Sequence, residues 1–352
     1  FSSVMEVQAA DLEGRLDDIV NELTDGDAGY VIVRGMLSPD STAKARAAVQ
    51  SAFPCMFFHR FLGIKIPMRT FDLPSRSPVF GQILDHAELN RVLEAVCGEG
   101  VKCGSYHTHT VPPASQHDQV KSTGEFLDAS CLAQELHIDY PYGGGHAPFL
   151  QNENPPRSAP RTCQVLWMLD AFTKENGATV VVPGSHKYWR SPSKGSQDDI
   201  IHAVDKHNRI TGQAGDALIY TGQVWHAVPH NHTSSSRTAV LGQFLPYYFQ
   251  PMEAHARCTP RAVLDSLPPR AKALMTEQLS PAAMWVWFLS PPLSLARRVS
   301  EVMMSIYGKL FIVAGLPIYT VLLRGTCGAS TGGLATAAYA GFVTGCFATL
   351  MN

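Results

Sequence analysis

Short strand segments, regularly spaced between residues 101 and 246, restrict the fold of this chain more than any other feature. Clusters of Pro, Gly, Asn and Ser separate them. Short strands joined by such turns favour a barrel or jelly roll, in which strand edges are paired or closed. The strands are predicted near 103–111, 131–138, 162–170, 178–182, 216–221, 224–229 and 237–246.

Helices are predicted before this β region. Residues 8–24 carry apolar side chains at helical spacing, a second helix is expected over 40–53, and a third over 89–96. The β-branched segment 29–37 between the first two helices is expected to be a strand. The predicted fold class is therefore mainly β with flanking helices (α+β), with one domain over residues 1–255 whose core spans about 29–248.

The composition favours a small-molecule substrate over a nucleic-acid partner. The formal net charge of the 352 residues is -2, and no long basic run is present. The eight cysteines are scattered with no Cys-x-x-Cys pair, which indicates reduced thiols and a cytoplasmic location. Residues 1–25 contain no apolar core typical of a signal peptide, although a targeting segment upstream of Phe1 stays open.

The C-terminal region, residues 256–352, is helical in pattern and becomes unusually apolar. Residues 310–323 and 328–350 carry no charge. Two interpretations stay open: a membrane hairpin, and a helical pair buried against the barrel or a partner subunit. In a hairpin, the basic residues Arg297 and Lys309 would favour the cytoplasmic face of the membrane and hint at a lipophilic substrate.

Three residues in two strands carry the predicted chemistry. In LHIDY (136–140), His137 and Asp139 share one face because strand side chains alternate. His226 lies on a later strand, in QVWHAV. Two imidazoles and one carboxylate on one face leave several positions of an octahedral metal open, an arrangement that suits non-haem iron(II).

Arg237 follows His226 by eleven residues, across the polar turn 230–236. A hairpin of that length returns the chain beside the first strand and directs Arg237 toward the same cavity. A buried guanidinium needs an anionic partner and fits a carboxylate bidentately. The alternative is an exposed strand arginine that pairs with Asp or Glu.

The chain resembles the phytanoyl-CoA dioxygenase (PhyH) family of iron(II)- and 2-oxoglutarate-dependent oxygenases over about two-thirds of its length. The order of the motifs around His-x-Asp is more specific than any one of them. The resemblance rests on GYVIVRGMLSPDSTAKARA (29–47), LHIDY (136–140), NGATVVVPGSH (176–186), AGDALIYTGQVWHAV (214–228), Arg237 and LGQFLPYY (241–248).

The resemblance implies a double-stranded β-helix (a cupin-like jelly roll) with His137, Asp139 and His226 as the iron(II) ligands. It also implies that Arg237 holds the distal carboxylate of 2-oxoglutarate, which with dioxygen acts as co-substrate and yields succinate and carbon dioxide. Related halogenases lack the carboxylate ligand, so Asp139 points to hydroxylation of a C–H bond. The alternatives are another oxidation on the same scaffold (desaturation, cyclisation or demethylation) and a non-catalytic binding protein.

One position departs from the family pattern. Some members have a hydroxyl residue two positions after the distal histidine, where this chain has Val228. Gln164 is a candidate replacement as a 2-oxoglutarate contact, against an ordinary strand glutamine. Tyr106 and Gln134 are further candidates for the cavity. The loops 140–161 and 187–213 are expected to form the substrate pocket.

Overall fold

The structure is a computed structural model that describes residues 4–50, 69–114, 132–139, 161–192, 197–249, 251–253 and 255–276. The chain divides into two compact units, Phe1–Gln278 and Leu279–Asn352. This division lies beyond the predicted boundary after residue 255. All of the described residues belong to the first unit.

Two sheets form the framework of this unit. The larger sheet has the strand order β1-β2-β8-β5-β10-β3, and the smaller one has the order β4-β9-β6-β7. Every pairing is antiparallel except that of β1 with β2. The strands are β1 (Glu6–Gln8), β2 (Tyr30–Arg34), β3 (Lys102–Val111), β4 (Leu132–His137), β5 (Cys163–Met168), β6 (Val180–Val181), β7 (Asn208–Arg209), β8 (Ala217–Thr221), β9 (His226–Pro229) and β10 (Arg237–Leu245).

Helices precede, interrupt and follow these strands. The fourth helix illustrates why they form: the His86 side chain accepts a hydrogen bond from Leu89 N at its start, and Gly98, at φ +94°, follows its end. The helices are α1 (Leu16–Thr24), α2 (Pro39–Gln50), α3 (Val79–Leu84), α4 (Ala87–Cys97), α5 (Gln197–Lys206), α6 (His255–Cys258), α7 (Arg261–Ser266) and α8 (Pro269–Met275).

Because successive side chains point to opposite faces of each strand, the larger sheet has a separate apolar layer on each of its two faces. Trp167 and Val240 point to one face, where they pack with Phe80 and Val92 of the helices. Leu166, Met168, Leu218, Ala239 and Leu241 point to the other face and pack with Val181 of the smaller sheet. This second face, between the two sheets, is called the inner face below. The fold is a double-stranded β-helix with flanking helices.

The seven predicted strands are confirmed to within a few residues. Two short strands, β1 and β7, and two helices, α3 and α5, were not predicted. Helix α5 lies inside 187–213, so the expectation that this stretch is a loop is wrong for residues 197–206. The other predicted pocket loop, 140–161, lies outside the described residues apart from its last residue.

No helix in the described part of the chain is long and apolar enough to cross a membrane. The predicted apolar segments 310–323 and 328–350 lie outside that part. Cys97, Cys103 and Cys163 are buried free thiols, as expected for reduced cysteines.

Candidate active site

The structure brings His137, Asp139 and His226 together. His137 ends β4, His226 begins β9, and the two are register partners, so their rings lie with centroids 4.2 Å apart. The Asp139 carboxylate reaches both imidazoles: Oδ1 lies 3.5 Å from Nε2 of His137, and Oδ2 lies 3.4 Å from Nε2 of His226.

Main-chain carbonyls fix the tautomers of both histidines. Nδ1 of His137 lies 2.7 Å from Glu135 O, and Nδ1 of His226 lies 3.0 Å from Val224 O. Because a carbonyl only accepts, each Nδ1 carries the proton and each Nε2 keeps its lone pair. This is the second-sphere arrangement that prepares histidine to bind a metal through Nε2.

The arrangement fits a divalent metal ion. The three ligand atoms lie within 4.8 Å of one another, and the group is the one in the described residues that meets this spacing for His, Cys, Asp and Glu. Metal–ligand bonds of roughly 2.1 Å at right angles would place neighbouring ligand atoms about 3 Å apart. The Asp139 oxygens lie 3.5 and 3.4 Å from the Nε2 atoms of His137 and His226, which is close to that value. Three ligands leave half of an octahedron for other molecules.

Asp139 is held from three directions. Its main-chain N donates to Gly222 O at 3.0 Å, and its carbonyl accepts from Gln243 Nε2 at 3.1 Å. The Tyr220 hydroxyl donates to Oδ2 at 3.2 Å. Burial acts to raise the pKa of Asp139, but the two imidazoles outweigh it and hold the pKa well below its usual value. The ligand is therefore an oriented carboxylate.

Gln134 lies at the edge of the metal position. Its Nε2 donates to Nε2 of His137 at 3.0 Å, and its Oε1 accepts from Nε2 of His109 at 3.3 Å. The predicted placement of Gln134 near the cavity agrees with these contacts. His109 lies on the inner face, where it is the register partner of Ala239.

Arg237 is fully buried on the inner face at the start of β10. One guanidinium nitrogen donates to Gly177 O, and Cζ lies 4.0 Å from the centre of the Phe172 ring. Nε and Nη1 have no hydrogen-bond partner in the described part of the chain. Burial lowers the pKa of Arg237 to about 9, while Asp170 acts in the opposite direction. Such a guanidinium requires an anion.

Asp170 does not serve as that anion by direct contact. Its Oδ1 lies 2.8 Å from Nη2 of Arg46, and its Oδ2 accepts from Thr238 N at 2.9 Å. Among the described residues, Arg237 forms no ion pair within 4.0 Å. Arg237 is therefore not an exposed arginine that pairs with an Asp or Glu of the described residues.

Sequence reasoning missed two polar residues near this cavity. Thr179 is buried, and its hydroxyl has no partner in the described residues; it lies two residues after Gly177, which accepts from Arg237. Arg69 also has a buried Nε without a partner, and its charge lowers the pKa of His107 and His109. Arg69 lies outside every predicted strand, and Thr179 lies in the predicted strand 178–182, whose sequence did not mark it as a cavity residue.

The prediction that Tyr106 lines the cavity is wrong. Tyr106 points to the helical side of β3, where its hydroxyl donates to Phe80 O at 3.0 Å and its ring meets Trp167 edge-on at 6.1 Å. The reason is strand alternation: His107 and His109, its neighbours at odd positions, occupy the inner face instead.

Gln164 lies on the inner face but not beside Arg237. It pairs with Gln243, six residues along β10, which corresponds to roughly 20 Å at about 3.4 Å per residue. Its amide instead packs against Gly222, beside Asp139. Gln164 and Arg237 therefore do not bind the same carboxylate.

Comparison with known proteins agrees with this geometry. The sequence profile of phytanoyl-CoA dioxygenase (PhyH) matches residues 26–239, more than half of the chain. The chain belongs to the PhyH family. The match includes His137, Asp139, His226 and Arg237.

Several of the proteins that this chain is similar to are fungal dioxygenases. Dioxygenase andF of Emericella variicolor is 31% identical over 120 residues, which are 34% of this chain and 39% of that protein. Dioxygenase FrzG of a Cladobotryum species is 23% identical over 268 residues, which are 70% of this chain and 80% of that protein. The andF alignment thus spans well under half of that relative's length.

Among solved structures, HygX of Streptomyces hygroscopicus, with nickel and 2-oxoglutarate bound, is similar at a TM-score of 0.46 and 16% identity. The likeness covers 64% of this chain and 85% of HygX. AviO1 of Streptomyces viridochromogenes is similar at a TM-score of 0.44 and 17% identity, over 67% of this chain and 96% of AviO1.

Proposed function

We propose that this PhyH-family chain is an iron(II)- and 2-oxoglutarate-dependent dioxygenase that hydroxylates an unactivated C–H bond of a small organic substrate. The observation that carries the proposal is a His-Asp-His metal set together with a buried, partly unpaired arginine on the inner face of the larger sheet. A metal-binding protein without a keto-acid co-substrate has no need of Arg237.

His137, Asp139 and His226 would hold the iron through two Nε2 atoms and one carboxylate oxygen. When bound, iron(II) with 2-oxoglutarate and dioxygen supplies the oxidising power: one oxygen atom enters the substrate and the other enters succinate, with loss of carbon dioxide. The protein contributes the positions and the charges around this chemistry.

Arg237 would bind the distal carboxylate of 2-oxoglutarate through the guanidinium nitrogens that lack protein partners. The Thr179 hydroxyl, which has no partner in the described residues and lies two residues after Gly177, would donate to the same group. Once a metal takes the Nε2 lone pair of His137, the amide of Gln134 is free to donate to the metal-bound end of the co-substrate. Arg69 adds a second positive charge on this side of the cavity.

The test is succinate formation from 2-oxoglutarate by the full chain after metal removal and reloading with iron(II). Acyl, terpenoid, amino-acid and alkaloid compounds are screened for stimulation of turnover. The proposal expects succinate to require iron(II) and dioxygen, and one oxygen atom from labelled dioxygen to enter the stimulating compound. Loss of two hydrogens instead would indicate desaturation.

Asp139→Ala is the decisive variant, with Asp40→Ala as its control because Asp40 is an exposed helix residue paired only with Lys44. We expect Asp139→Ala to abolish substrate oxidation and Asp40→Ala to keep it. Full activity of Asp139→Ala would refute its role as a ligand. Compound binding without any succinate would identify a non-catalytic binding protein.

A further inference from the structure

His107 and Glu253 form a pair at the edge of the larger sheet. The Oε1 atom of Glu253 lies 3.3 Å from Nδ1 of His107 and accepts the Tyr106 main-chain N–H at 2.8 Å. Glu253 N in turn donates to Gly104 O at 2.8 Å. Two main-chain hydrogen bonds to β3 thus fix the carboxylate against the imidazole.

This contact decides which nitrogen of His107 carries a proton. A carboxylate only accepts hydrogen bonds, so Nδ1 of His107 is the donor. Burial lowers the pKa of His107, and the charge of Arg69 acts in the same direction against that of Glu253. The ring is therefore neutral, and Nε2 is a hydrogen-bond acceptor with a free lone pair.

The His107 side chain lies on the inner face, where it is the register partner of Leu241. The Phe71 ring packs against it, with centroids 5.2 Å apart. Nε2 is buried and has no hydrogen-bond partner within the described residues. His107 shares the inner face of β3 with His109, which contacts Gln134 beside His137, so the imidazole lies on the side of the sheet that faces the metal centre.

A buried acceptor without a partner destabilises a protein, because it has lost its hydrogen bonds to water and gained none in return. Neither co-substrate of the proposed reaction satisfies it, because the 2-oxoglutarate dianion and dioxygen carry no hydrogen-bond donor at neutral pH. The remaining molecule in that cavity is the organic substrate. It must then present a hydroxyl or N–H group to Nε2.

We propose that His107, oriented by Glu253, accepts a hydrogen bond from a donor group of the substrate and thereby selects hydroxyl- or N–H-bearing molecules over hydrocarbons, ethers and esters. This inference rests on the proposed function, since the substrate occupies the cavity only if the oxygenase reaction takes place there. His107 is a specificity residue in this account, and Glu253 is a positioning residue.

The first test measures the tautomer without any substrate. Full-length protein labelled with ¹⁵N-histidine and loaded with zinc is examined by long-range ¹H–¹⁵N NMR, with the His107 signals assigned from their loss in His107→Phe. We expect a neutral ring protonated at Nδ1. Protonation at Nε2, or at both nitrogens, at neutral pH would overturn the inference.

The second test compares alcohols with their methyl ethers across the compound classes that stimulate succinate formation. We expect wild-type kcat/KM to favour the alcohol by at least about tenfold, because an ether leaves Nε2 unpaired. His107→Phe, which keeps a ring against Phe71, should lose this preference. Equal preference in both proteins would mean that a buried water alone satisfies Nε2.

His255→Phe is the matched control. Its Nδ1 lies 3.8 Å from the other Glu253 oxygen, so the substitution disturbs the same carboxylate without touching His107. We expect His255→Phe to keep the alcohol preference; its loss in both variants would overturn a specific role for His107. If His107→Phe does not fold, His107→Gln replaces it, and the amide oxygen should retain part of the preference.

Different results would refute the proposed function and the role of His107. Absence of 2-oxoglutarate and iron binding in the wild type would refute the proposed function. If the wild type binds iron and 2-oxoglutarate normally, and compounds stimulate its turnover equally well with and without a hydroxyl group, only this inference is refuted.

Discussion

The hydroxyl of Tyr220 donates a hydrogen bond to Oδ2 of Asp139 at 3.2 Å, so β8 orients a metal ligand that lies just beyond the end of β4. Burial raises the pKa of Tyr220 well above its usual value, and the Asp139 charge adds to that rise. The hydroxyl therefore stays protonated and remains a donor throughout the physiological range.

Tyr220→Phe should weaken metal binding about 10- to 100-fold, the range typical of lost second-sphere contacts. Cobalt(II) affinity measured by calorimetry checks this. Tyr188→Phe is the control, because its hydroxyl likewise hydrogen-bonds another side chain, that of His202, but at an exposed position away from the metal ligands. Equal affinities for the Tyr220→Phe variant and wild type would show that Asp139 does not need this hydrogen bond.

Arg237→Lys should raise the 2-oxoglutarate concentration needed for half-maximal turnover by about 100-fold, with iron affinity unchanged. Lysine keeps the positive charge but not the planar fork that meets a carboxylate with two hydrogen bonds. Calorimetric titration of the metal and of 2-oxoglutarate separates the two effects. Loss of iron binding instead would mean that Arg237 has been misassigned.

Metal affinity should fall as the pH falls. Burial alone would lower the pKa of His226, but the Asp139 carboxylate outweighs it and the net direction is upward. A proton on His226 competes with the metal, so below that raised pKa the affinity should drop about tenfold per pH unit. In Asp139→Asn no carboxylate charge raises the pKa of His226, so the fall in metal affinity should begin at a lower pH. Cobalt(II) titrations from pH 5.5 to 8 measure both curves, and a flat wild-type curve would contradict the assignment.

Gly222→Ala should destabilise the fold by about 1–3 kcal/mol and weaken metal binding. The added Cβ would lie 2.1 Å from the Thr162 hydroxyl oxygen, and Gly222 O holds the main chain of Asp139. Urea unfolding measures the change. Gly14→Ala, with nothing within 4 Å of the added Cβ, should be close to neutral. Combining Thr162→Ala with Gly222→Ala removes the side chain that the added Cβ would meet, and should restore part of the lost stability.

Strand alternation and turn chemistry predicted most of the strands and suggested the metal ligands, and the resemblance to the PhyH family implied the complete set of three. His137 and Asp139 are two residues apart in the chain, and His226 opens a strand of its own, so their shared face followed from periodicity. The convergence of Arg237 followed from the length of a polar turn. These features are local, and the sequence displays them directly.

The face of β3 could not be read in the same way. Eight of its ten residues from Lys102 to Val111 are buried, on both faces of the strand, and no alternation of polar and apolar residues marks the inner face. Tyr106 was therefore placed in the cavity, where His107 and His109 lie. Arg69 and Glu253 come from outside any regular strand or helix, so no periodicity predicts their contribution.

Anaerobic addition of iron(II) and 2-oxoglutarate, followed by visible absorption, tests most directly whether the three ligands and the keto acid meet at one metal. The account predicts a weak charge-transfer band in the wild type and in His232→Ala, which alters an exposed histidine. His226→Ala should lack the band. A band of unchanged intensity in His226→Ala, or no band in wild-type protein that has bound iron, would contradict the account.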